Sequence, residues 1–237
     1  LYACLRELKA IKQAIREGSL WDHLSLRAHA HPSLLRAFRK LAEEYHEVLE
    51  AQSPVQRKKG IFITSSLDLY RPEVVRFEHR LIERFEPKAD VIVLLPYPDQ
   101  KPFSRSPYYE RFLKALSGIP SDVLGRVSFC LYGLPFGLIP LELDQVHPLS
   151  QYEFSGPDEP FAKWALNLAS RFLKSKRYRS LVLISDGSDF SRALEDVCRR
   201  ACLELGLSFQ VLHEAEPWSE EALALLAKAL AGLSRPA

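Results

Sequence analysis

The chain of 237 residues lacks methionine altogether, lacks any C-x-x-C pair and lacks a run of 18 or more apolar residues. Without such a run no membrane-spanning helix is predicted, and the first residues do not have the pattern of a secretory signal peptide. We therefore expect a cytoplasmic protein without a membrane partner. The missing methionine, even at position 1, fits a fragment or a processed product of a longer chain.

The four cysteines are scattered along the chain, at Cys4, Cys130, Cys198 and Cys202. A zinc knuckle or a dithiol redox motif needs closer pairs, so neither is predicted, and we expect no metal and no cofactor. Cys130 lies in the pattern of an apolar strand and is predicted to be a small buried side chain. Free thiols of this kind are typical of cytoplasmic proteins.

The charges of the chain nearly cancel, because 32 Lys and Arg residues oppose 30 Asp and Glu residues. Net charge alone therefore does not predict a nucleic-acid partner. Basic residues nevertheless cluster at two places, and such patches can bind phosphate even in a near-neutral protein. The predicted RNA-binding residues are Arg57, Lys58 and Lys59 in one cluster, and Lys174, Lys176, Arg177 and Arg179 in the other. Both clusters are expected to lie on one face with Lys101. A solvated helix face is the alternative explanation for either cluster alone.

The most informative stretch runs from Asp90 to Phe112. It begins with the apolar run Val91–Leu95, which has no polar face and predicts a strand buried on both sides, as in a parallel sheet. Prolines then stop strand pairing, a polar and basic turn follows, and Ser106 with Pro107 predicts a capped helix start. Because open α/β sheets bind ligands at the carboxyl ends of their strands, this loop is a candidate site. A plain strand-to-helix crossover is the alternative.

The rest of the pattern alternates strands with helices after a helical N-terminal segment. Residues 1–55 are predicted to form that segment, and residues 60–237 a second domain, separated by a polar linker. Predicted strands cover residues 60–67, 91–95, 126–132, 180–185 and 208–213. This order predicts an α/β three-layer sandwich with a mostly parallel sheet, in which Val91–Leu95 and Leu181–Ile184 lie near the centre. Three loops should meet at the strand ends: 97–106, 133–144 and 186–189, the last of them a tight turn before a helix.

The loop after the Val91–Leu95 strand resembles the signature loop of archaeosine synthase. That family carries the pattern P-C-x-x-x-K-P-Y-x-x-S-x-x-H, and the shared framework here is Pro96, Lys101, Pro102 and Ser106. Three positions differ, with Tyr97 at the family's Cys, Phe103 at its Tyr and Tyr109 at its His. The chain thus keeps the framework of the loop and lacks its thiol and its imidazole.

Two further segments are similar to the same family. Gly137–Asp144 resembles its G-L-V-P-R-E-L-E segment, with Leu141 in place of the family's Arg and Glu142 retained. Residues 1–38 resemble the end of the catalytic barrel in archaeal tRNA-guanine transglycosylases and archaeosine synthases. The resemblance covers nearly the whole chain and implies the uracil-DNA-glycosylase-like fold of the archaeosine synthase middle domain. The family's zinc ligands and catalytic aspartates lie upstream and have no counterpart in this sequence.

The resemblance implies a role in tRNA modification. Family members attach lysine to the nitrile of 7-cyano-7-deazaguanine already present in tRNA, on the way to archaeosine. The implied catalytic residues are Lys101, Ser106 and Tyr109, and the implied substrate contacts are Pro96, Tyr97, Pro102, Phe103, Ser104, Arg105 and Glu142. Tyr97 cannot replace a thiolate at neutral pH, because the pKa of a tyrosine is about 10. Whether the chain is an enzyme therefore stays open at this point.

Two functions agree with these observations. In the first, the chain is an archaeosine synthase or part of one, a transferase that adds lysine with groups other than the family's Cys and His. In the second, it is a non-catalytic tRNA-binding or scaffold subunit. A glycosylase acting on a base is a third reading, disfavoured by the lack of an acidic loop suited to activating water.

The partners implied by the resemblance are tRNA, free lysine for the first reading, and a second chain. That second chain would supply a transglycosylase-type barrel or further RNA-binding domains. The first fifty residues are then expected to form helices that present Trp21, Leu24 and Phe38 to it.

Overall fold

The computed structural model describes residues 1–55, 60–87, 89–98 and 100–232. Contacts within the chain divide it into two compact units. The first comprises Leu1–His79 with Gln151–Ser155, and the second comprises Arg80–Ser150 and the chain from Gly156 onward. The predicted division at residues 55–60 stays a prediction, because these units reflect contact density and not independent folding.

The described residues form strands at all five predicted positions, with helices between most of them. The strands Gly137–Pro140 and Tyr152–Phe154 were not predicted, and no α-helix of the described chain lies between them and the strand before. The α-helices are α1 (Tyr2–Glu17), α2 (Leu20–Ala28), α3 (Pro32–Glu44), α4 (His46–Ala51), α5 (Pro72–Glu83), α6 (Pro107–Leu116), α7 (Ser121–Leu124), α8 (Glu159–Ser175), α9 (Asp189–Leu205) and α10 (Glu220–Gly232). The strands are β1 (Ile61–Ile63), β2 (Val91–Pro96), β3 (Val127–Gly133), β4 (Gly137–Pro140), β5 (Tyr152–Phe154), β6 (Ser180–Ser185) and β7 (Ser208–His213). Among these helices, none is long and apolar enough to cross a membrane.

The first unit combines helices α1 to α4 with a two-stranded parallel sheet of β1 and β5. Gly18 ends α1 with a φ of 69°, a left-handed conformation that glycine adopts at little cost. The predicted strand at residues 60–67 is confined to Ile61–Ile63. Ser65 and Asp68 form a capping box at this point, which turns the chain into a short 3-10 helix.

Trp21 and Phe38 lie at the centre of the first unit, where they are 3% and 5% exposed. Their ring centroids are 4.9 Å apart, and Leu24 packs against the same apolar cluster. The prediction that these side chains face a partner is therefore wrong for Trp21 and Phe38, because the apolar stripes of α2 and α3 close on each other. Exposed apolar side chains of this unit include Leu5, Leu8, Leu26 and Leu34.

A buried arginine anchors the same unit. Arg71 is 1% exposed, and its Nη1 donates to Asp22 Oδ1 at 2.7 Å and lies 3.7 Å from Asp68. Asp68 also accepts hydrogen bonds from Trp21 Nε1 and from the Thr64 backbone amide, both at 2.8 Å. Burial works to lower the pKa of Arg71, but the neighbouring carboxylates, Glu73 first, outweigh it and raise that pKa, so the guanidinium stays charged.

The second unit contains a five-stranded sheet with the order β4-β3-β2-β6-β7, parallel except for the β3–β4 pair. All six residues of β2 and all six of β6 are buried, and the two strands pair directly, with Val91 opposite Ser180. The prediction that Val91–Leu95 and Leu181–Ile184 form central strands is confirmed. Continuous apolar runs require cover on both faces, and only inner strands receive it.

Helices cover both faces of this sheet. Helix α8 packs against α9, and α6 packs against α10, so the unit has the predicted three layers. The chain leaves β2 through α6 and α7 to reach β3, whereas it leaves β6 through α9 to reach β7 on the opposite side. The direction of winding therefore changes between β2 and β6. In open α/β sheets, ligands bind at this switch point, outside the carboxyl ends of the strands.

We expect the substitution Asp68→Ala to destabilise the protein by about 3–5 kcal/mol, because it leaves the buried Arg71 and Trp21 Nε1 with fewer partners. Urea unfolding followed by tryptophan fluorescence measures the change. The matched control is Glu44→Ala, which removes one carboxylate of the exposed Lys40–Glu44 pair and should hardly move the midpoint. Equal midpoints for the two variants would contradict the role assigned to Asp68.

Candidate binding cleft at the strand ends

The loop after β2 is held in place by one buried carboxylate. Asp144 is 0% exposed and lies just after the short 3-10 turn that follows β4. Its Oδ1 accepts hydrogen bonds from the Tyr97 hydroxyl and the Phe103 amide, and its Oδ2 accepts one from the Ser104 amide, each at 2.9 Å. Donors of this kind compensate a buried negative charge, so Asp144 ties two of the three predicted loops together.

The middle of this loop turns into the protein interior. Phe103 is 0% exposed, and its ring lies 4.8 Å from Trp218 and 5.4 Å from Tyr109. Pro102 and Ser106 are buried as well. The predictions that Phe103 and Pro102 contact substrate and that Ser106 is catalytic therefore have no support from this arrangement, in which all three support the loop from inside.

Helix α6 starts at Pro107 as predicted, but Ser106 does not cap it with its side chain. The Tyr109 amide, which a capping hydroxyl would accept from, already donates to the Ser106 carbonyl at 3.1 Å. The Ser106 hydroxyl is buried and makes no hydrogen bond with any residue that the structure describes. The predicted side-chain cap is wrong.

An open cleft of about 500 Å³ lies at the switch point between β2 and β6. It is lined by Pro96 at the end of β2, by residues that follow β2, β6 and β7, and by the first turn of α6: Tyr97, Pro98, Tyr108, Asp186, Gly187, Ser188, Ala215, Pro217 and Trp218. Aromatic and proline rings dominate one side. The rings of Tyr108 and Trp218 are 5.9 Å apart and inclined by 38°.

Another part of the cleft lining is the turn from β6 into α9. Asp186 Oδ1 accepts hydrogen bonds from the Ser188 amide at 3.0 Å and the Ser188 hydroxyl at 2.7 Å. The same hydroxyl oxygen accepts from the Ser191 amide and thereby caps α9. Among the described residues that line the cleft, Asp186 carries the one charged side chain. The sequence prediction of a tight turn here is confirmed.

A buried hydroxyl network fixes the ends of β3 and β6 to α9. The Tyr132 hydroxyl donates to the Ile184 carbonyl at 2.8 Å, and the hydroxyls of Ser185 and Ser191 are 2.7 Å apart. Burial raises the pKa of Tyr132 well above its ordinary value, so this phenol stays protonated. The network links this end of the sheet to α9 next to the turn that carries Asp186.

The structure brings some predicted site residues together and leaves others aside. Pro96 and Tyr97 line the cleft. Lys101 and Ser104 are half-buried in the loop, whereas Arg105 and Glu142 are exposed, and none of these four lines the cleft. Sequence reasoning missed the aromatic wall of Tyr108 and Trp218. The signal available was their position, because one follows the β2 loop and the other follows β7, whose carboxyl end lies at the same edge.

The predicted RNA-binding residues do not form one exposed basic patch among the residues that the structure describes. Lys176 has a fully buried side chain whose Nζ donates to the Ile82 carbonyl at 2.7 Å, so its assignment as an RNA contact is wrong. Lys174 pairs with Glu204 at 2.5 Å. Arg177 and Arg179 are exposed. Arg57, Lys58 and Lys59 lie outside the described residues.

The exposed members of the second basic cluster lie far from the cleft. They precede β6, at the amino edge of the sheet, whereas Lys101 and the cleft follow the carboxyl ends of the strands. A six-residue strand separates the two edges by about 20 Å. The expectation that Lys174–Arg179 share a face with Lys101 is therefore wrong. Within the part of the chain that the structure describes, no three His, Cys, Asp or Glu side chains are grouped to hold a metal ion.

Comparison with known proteins finds one family and several relatives. The family model described as a domain of unknown function (DUF5591) matches residues 74–230. The chain is 40% identical over 148 residues to "tRNA-guanine(15) transglycosylase" of Methanobrevibacter smithii, which covers 62% of this chain and 22% of that protein. It is 34% identical over 189 residues to the protein of the same name from Saccharolobus solfataricus, with coverage of 78% and 36%.

Among solved structures, the chain is similar to AF0587, a protein of unknown function, with a TM-score of 0.48 and 18% identity over 68% of this chain and 50% of that one. The chain spans less than two fifths of the length of the two transglycosylases it matches.

We expect Asp144→Asn to loosen the loop after β2. The amide would turn an NH2 group towards the backbone donors that the carboxylate now accepts from, at a cost of about 1–3 kcal/mol. Hydrogen exchange of the Phe103 and Ser104 amides should accelerate, while the exchange of β2 should change little. The matched control is Glu142→Gln, an exposed neighbour, which should leave both amides unaffected. Unchanged protection in Asp144→Asn would show that the carboxylate does not hold the loop.

Proposed function

Because the chain belongs to the DUF5591 family, and because its relatives are named as tRNA-guanine transglycosylases, we propose that it acts in tRNA modification and that the strand-end cleft binds a tRNA base. The observation that carries this proposal is the cleft itself. It lies at the switch point of the sheet, and the described residues of its lining combine aromatic rings with one carboxylate, that of Asp186.

The walls of the cleft suit a flat heterocycle. Bases stack on aromatic side chains with about 1–3 kcal/mol per base, and Tyr108 offers a ring that is 36% exposed. Tyr97 and Trp218 add aromatic surface to the same lining. A phosphate is disfavoured at this place because the charged lining group is acidic. The backbone of the polynucleotide would then run outside the cleft, along the rim near Arg105 and Lys101.

The side chains of the cleft favour binding over covalent chemistry. Tyr97, at the position of the family's Cys, uses its hydroxyl as a donor to Asp144. Tyr109, at the position of the family's His, packs its ring against Phe103 and Phe112. The described lining residues include no thiol and no imidazole. These contacts support the reading of a tRNA-binding subunit over that of a catalyst.

Lysine addition to the nitrile of 7-cyano-7-deazaguanine in tRNA, within archaeosine biosynthesis, is the second candidate. It is favoured by the retained loop framework of Pro96, Lys101, Pro102 and Ser106. A nitrile needs a nucleophile and a proton donor, and among the described residues of this loop hydroxyls and the Lys101 amine could serve. Free lysine would be the co-substrate, and a second chain with a transglycosylase-type barrel would be a partner in either reading.

We expect Tyr108→Ala to weaken tRNA binding about 5- to 150-fold at about 100 mM salt, the range given by loss of one stacked base. Filter binding with labelled tRNA measures the affinity. The matched control is Tyr2→Ala, which removes an exposed tyrosine of α1 and should leave the affinity unchanged. Equal affinities of wild type and Tyr108→Ala would rule out the cleft as the base site.

The purified chain is expected not to transfer labelled lysine to tRNA that carries the nitrile base, because its lining residues supply no strong nucleophile. The double variant Tyr97→Cys with Tyr109→His restores the family residues and serves as the comparison. Transfer by the wild-type chain would establish lysine addition in place of the binding role. Transfer by the double variant alone would locate the loss of chemistry at these two positions.

A further inference from the structure

The two carboxylate oxygens of Asp186 differ in their hydrogen bonding to the described residues. Oδ1 accepts two hydrogen bonds from Ser188, as described above. No hydrogen bond or ion pair reaches Oδ2 from the residues that the structure describes, and Asp186 is half-buried in the lining of the cleft. An ionised carboxylate oxygen in such a position is an acceptor with unused capacity.

We propose that Asp186 determines which base the cleft accepts, by taking hydrogen bonds at Oδ2 from a base edge that carries two adjacent N–H donors. This inference rests on the proposed function, because it concerns the same cleft. It assigns to one side chain the selection that the aromatic wall cannot make, since stacking is tolerant of base identity. The ligand class is a purine-type base with an amidic N–H next to an exocyclic amino group.

A carboxylate can distinguish guanine from the other three common bases by the donors and acceptors on their edges. Guanine has N1–H beside its 2-amino group, so two donors can approach the two lone pairs of Oδ2. Adenine and cytosine place a ring-nitrogen acceptor beside their amino group, and uracil flanks its N3–H with two carbonyl oxygens. Each of these three puts a lone pair against the carboxylate, which is repulsive. A paired donor set is worth about 5- to 150-fold in discrimination.

Asp186 is positioned before any ligand arrives. The Asx-type turn to Ser188 fixes Oδ1, and Gly187 at a φ of 76° allows the tight bend between them. Ser188 in turn caps α9 through the Ser191 amide, and Ser191 contacts the buried hydroxyl network. Because the side chain is already ordered, little of the binding free energy is lost in fixing it.

Two other ligand classes fit the same position less well. An anion is disfavoured by the negative charge of the carboxylate, and the Ser188 hydroxyl already accepts from the Ser191 amide at the start of α9. A primary amine could pair with Asp186 beside aromatic rings. An amine would leave most of a cleft of about 500 Å³ unfilled, whereas a nucleoside can occupy both its flat wall and its polar side.

Calorimetric titration of the whole chain with nucleosides tests this assignment. The probes are guanosine, inosine, adenosine and uridine, and free lysine provides the amine arm. We expect guanosine to bind at least about 5-fold more tightly than inosine, which lacks the 2-amino group, and more tightly than adenosine or uridine. Asp186→Asn should remove this preference, because the amide presents both a donor and an acceptor.

The matched control is Asp189→Asn, which makes the same change three residues further on, at a carboxylate that is 99% exposed and does not line the cleft. It should keep the preference for guanosine. The assignment is overturned if the four nucleosides bind equally, or if Asp186→Asn keeps the preference for guanosine. It is also overturned if guanosine does not bind at about 1 mM, or if lysine binds in an Asp186-dependent way while guanosine does not bind.

Filter binding of tRNA to the same protein samples separates this inference from the proposed function. If Tyr108→Ala weakens tRNA binding while Asp186→Asn leaves base preference intact, the cleft binds a base and Asp186 does not select it. If neither variant affects tRNA binding, the base site itself lies elsewhere.

Discussion

The arrangement of the second unit depends on the buried carboxylate of Asp144. Three donors from the loop after β2 converge on it, and no cation is needed to keep the charge inside the protein. Its hydrogen bonds place Tyr97 in the lining of the cleft and draw Phe103 into the interior. Phe103 then supports Trp218 from behind, and Trp218 forms part of the aromatic wall. One hydrogen-bonded charge thereby links a loop, a core and a binding surface.

The two edges of the five-stranded sheet have different characters. At the carboxyl edge, aromatic rings and Asp186 surround an open cleft. At the amino edge, basic residues are largely occupied by acids, as in the pair of Arg126 with Asp90 at 2.8 Å and that of Lys174 with Glu204. Exposed pairs of this kind contribute little to stability, but they reduce the positive potential that a phosphate would meet. The charge pattern therefore favours the carboxyl edge as the place where a nucleic-acid base enters.

The sequence predicted structure correctly where a single physical requirement, burial of apolar side chains, determines the outcome. The apolar runs at Val91–Leu95 and Leu181–Ile184 require burial on both faces, and they are neighbouring central strands. The predictions were wrong where the same residue type can be either exposed or buried. Lys176 was predicted as an RNA contact, but its ammonium lies 5.8 Å from the centroid of the Phe172 ring and donates to the Ile82 carbonyl inside the protein. Trp218 was not predicted as a cleft residue, because its position in the lining depends on which strand ends lie together. The periodicity of the sequence does not contain that information.

Hydrogen exchange of the protein with and without tRNA tests the central claim most directly, because it reports on both edges of the sheet in one experiment. Binding of a base in the cleft predicts slower exchange in three segments, residues 97–108, 186–188 and 215–218, with the amino edge unchanged. Protection confined to residues 174–179, with no change in the three cleft segments, would contradict the claim and move the RNA-binding surface to the opposite edge.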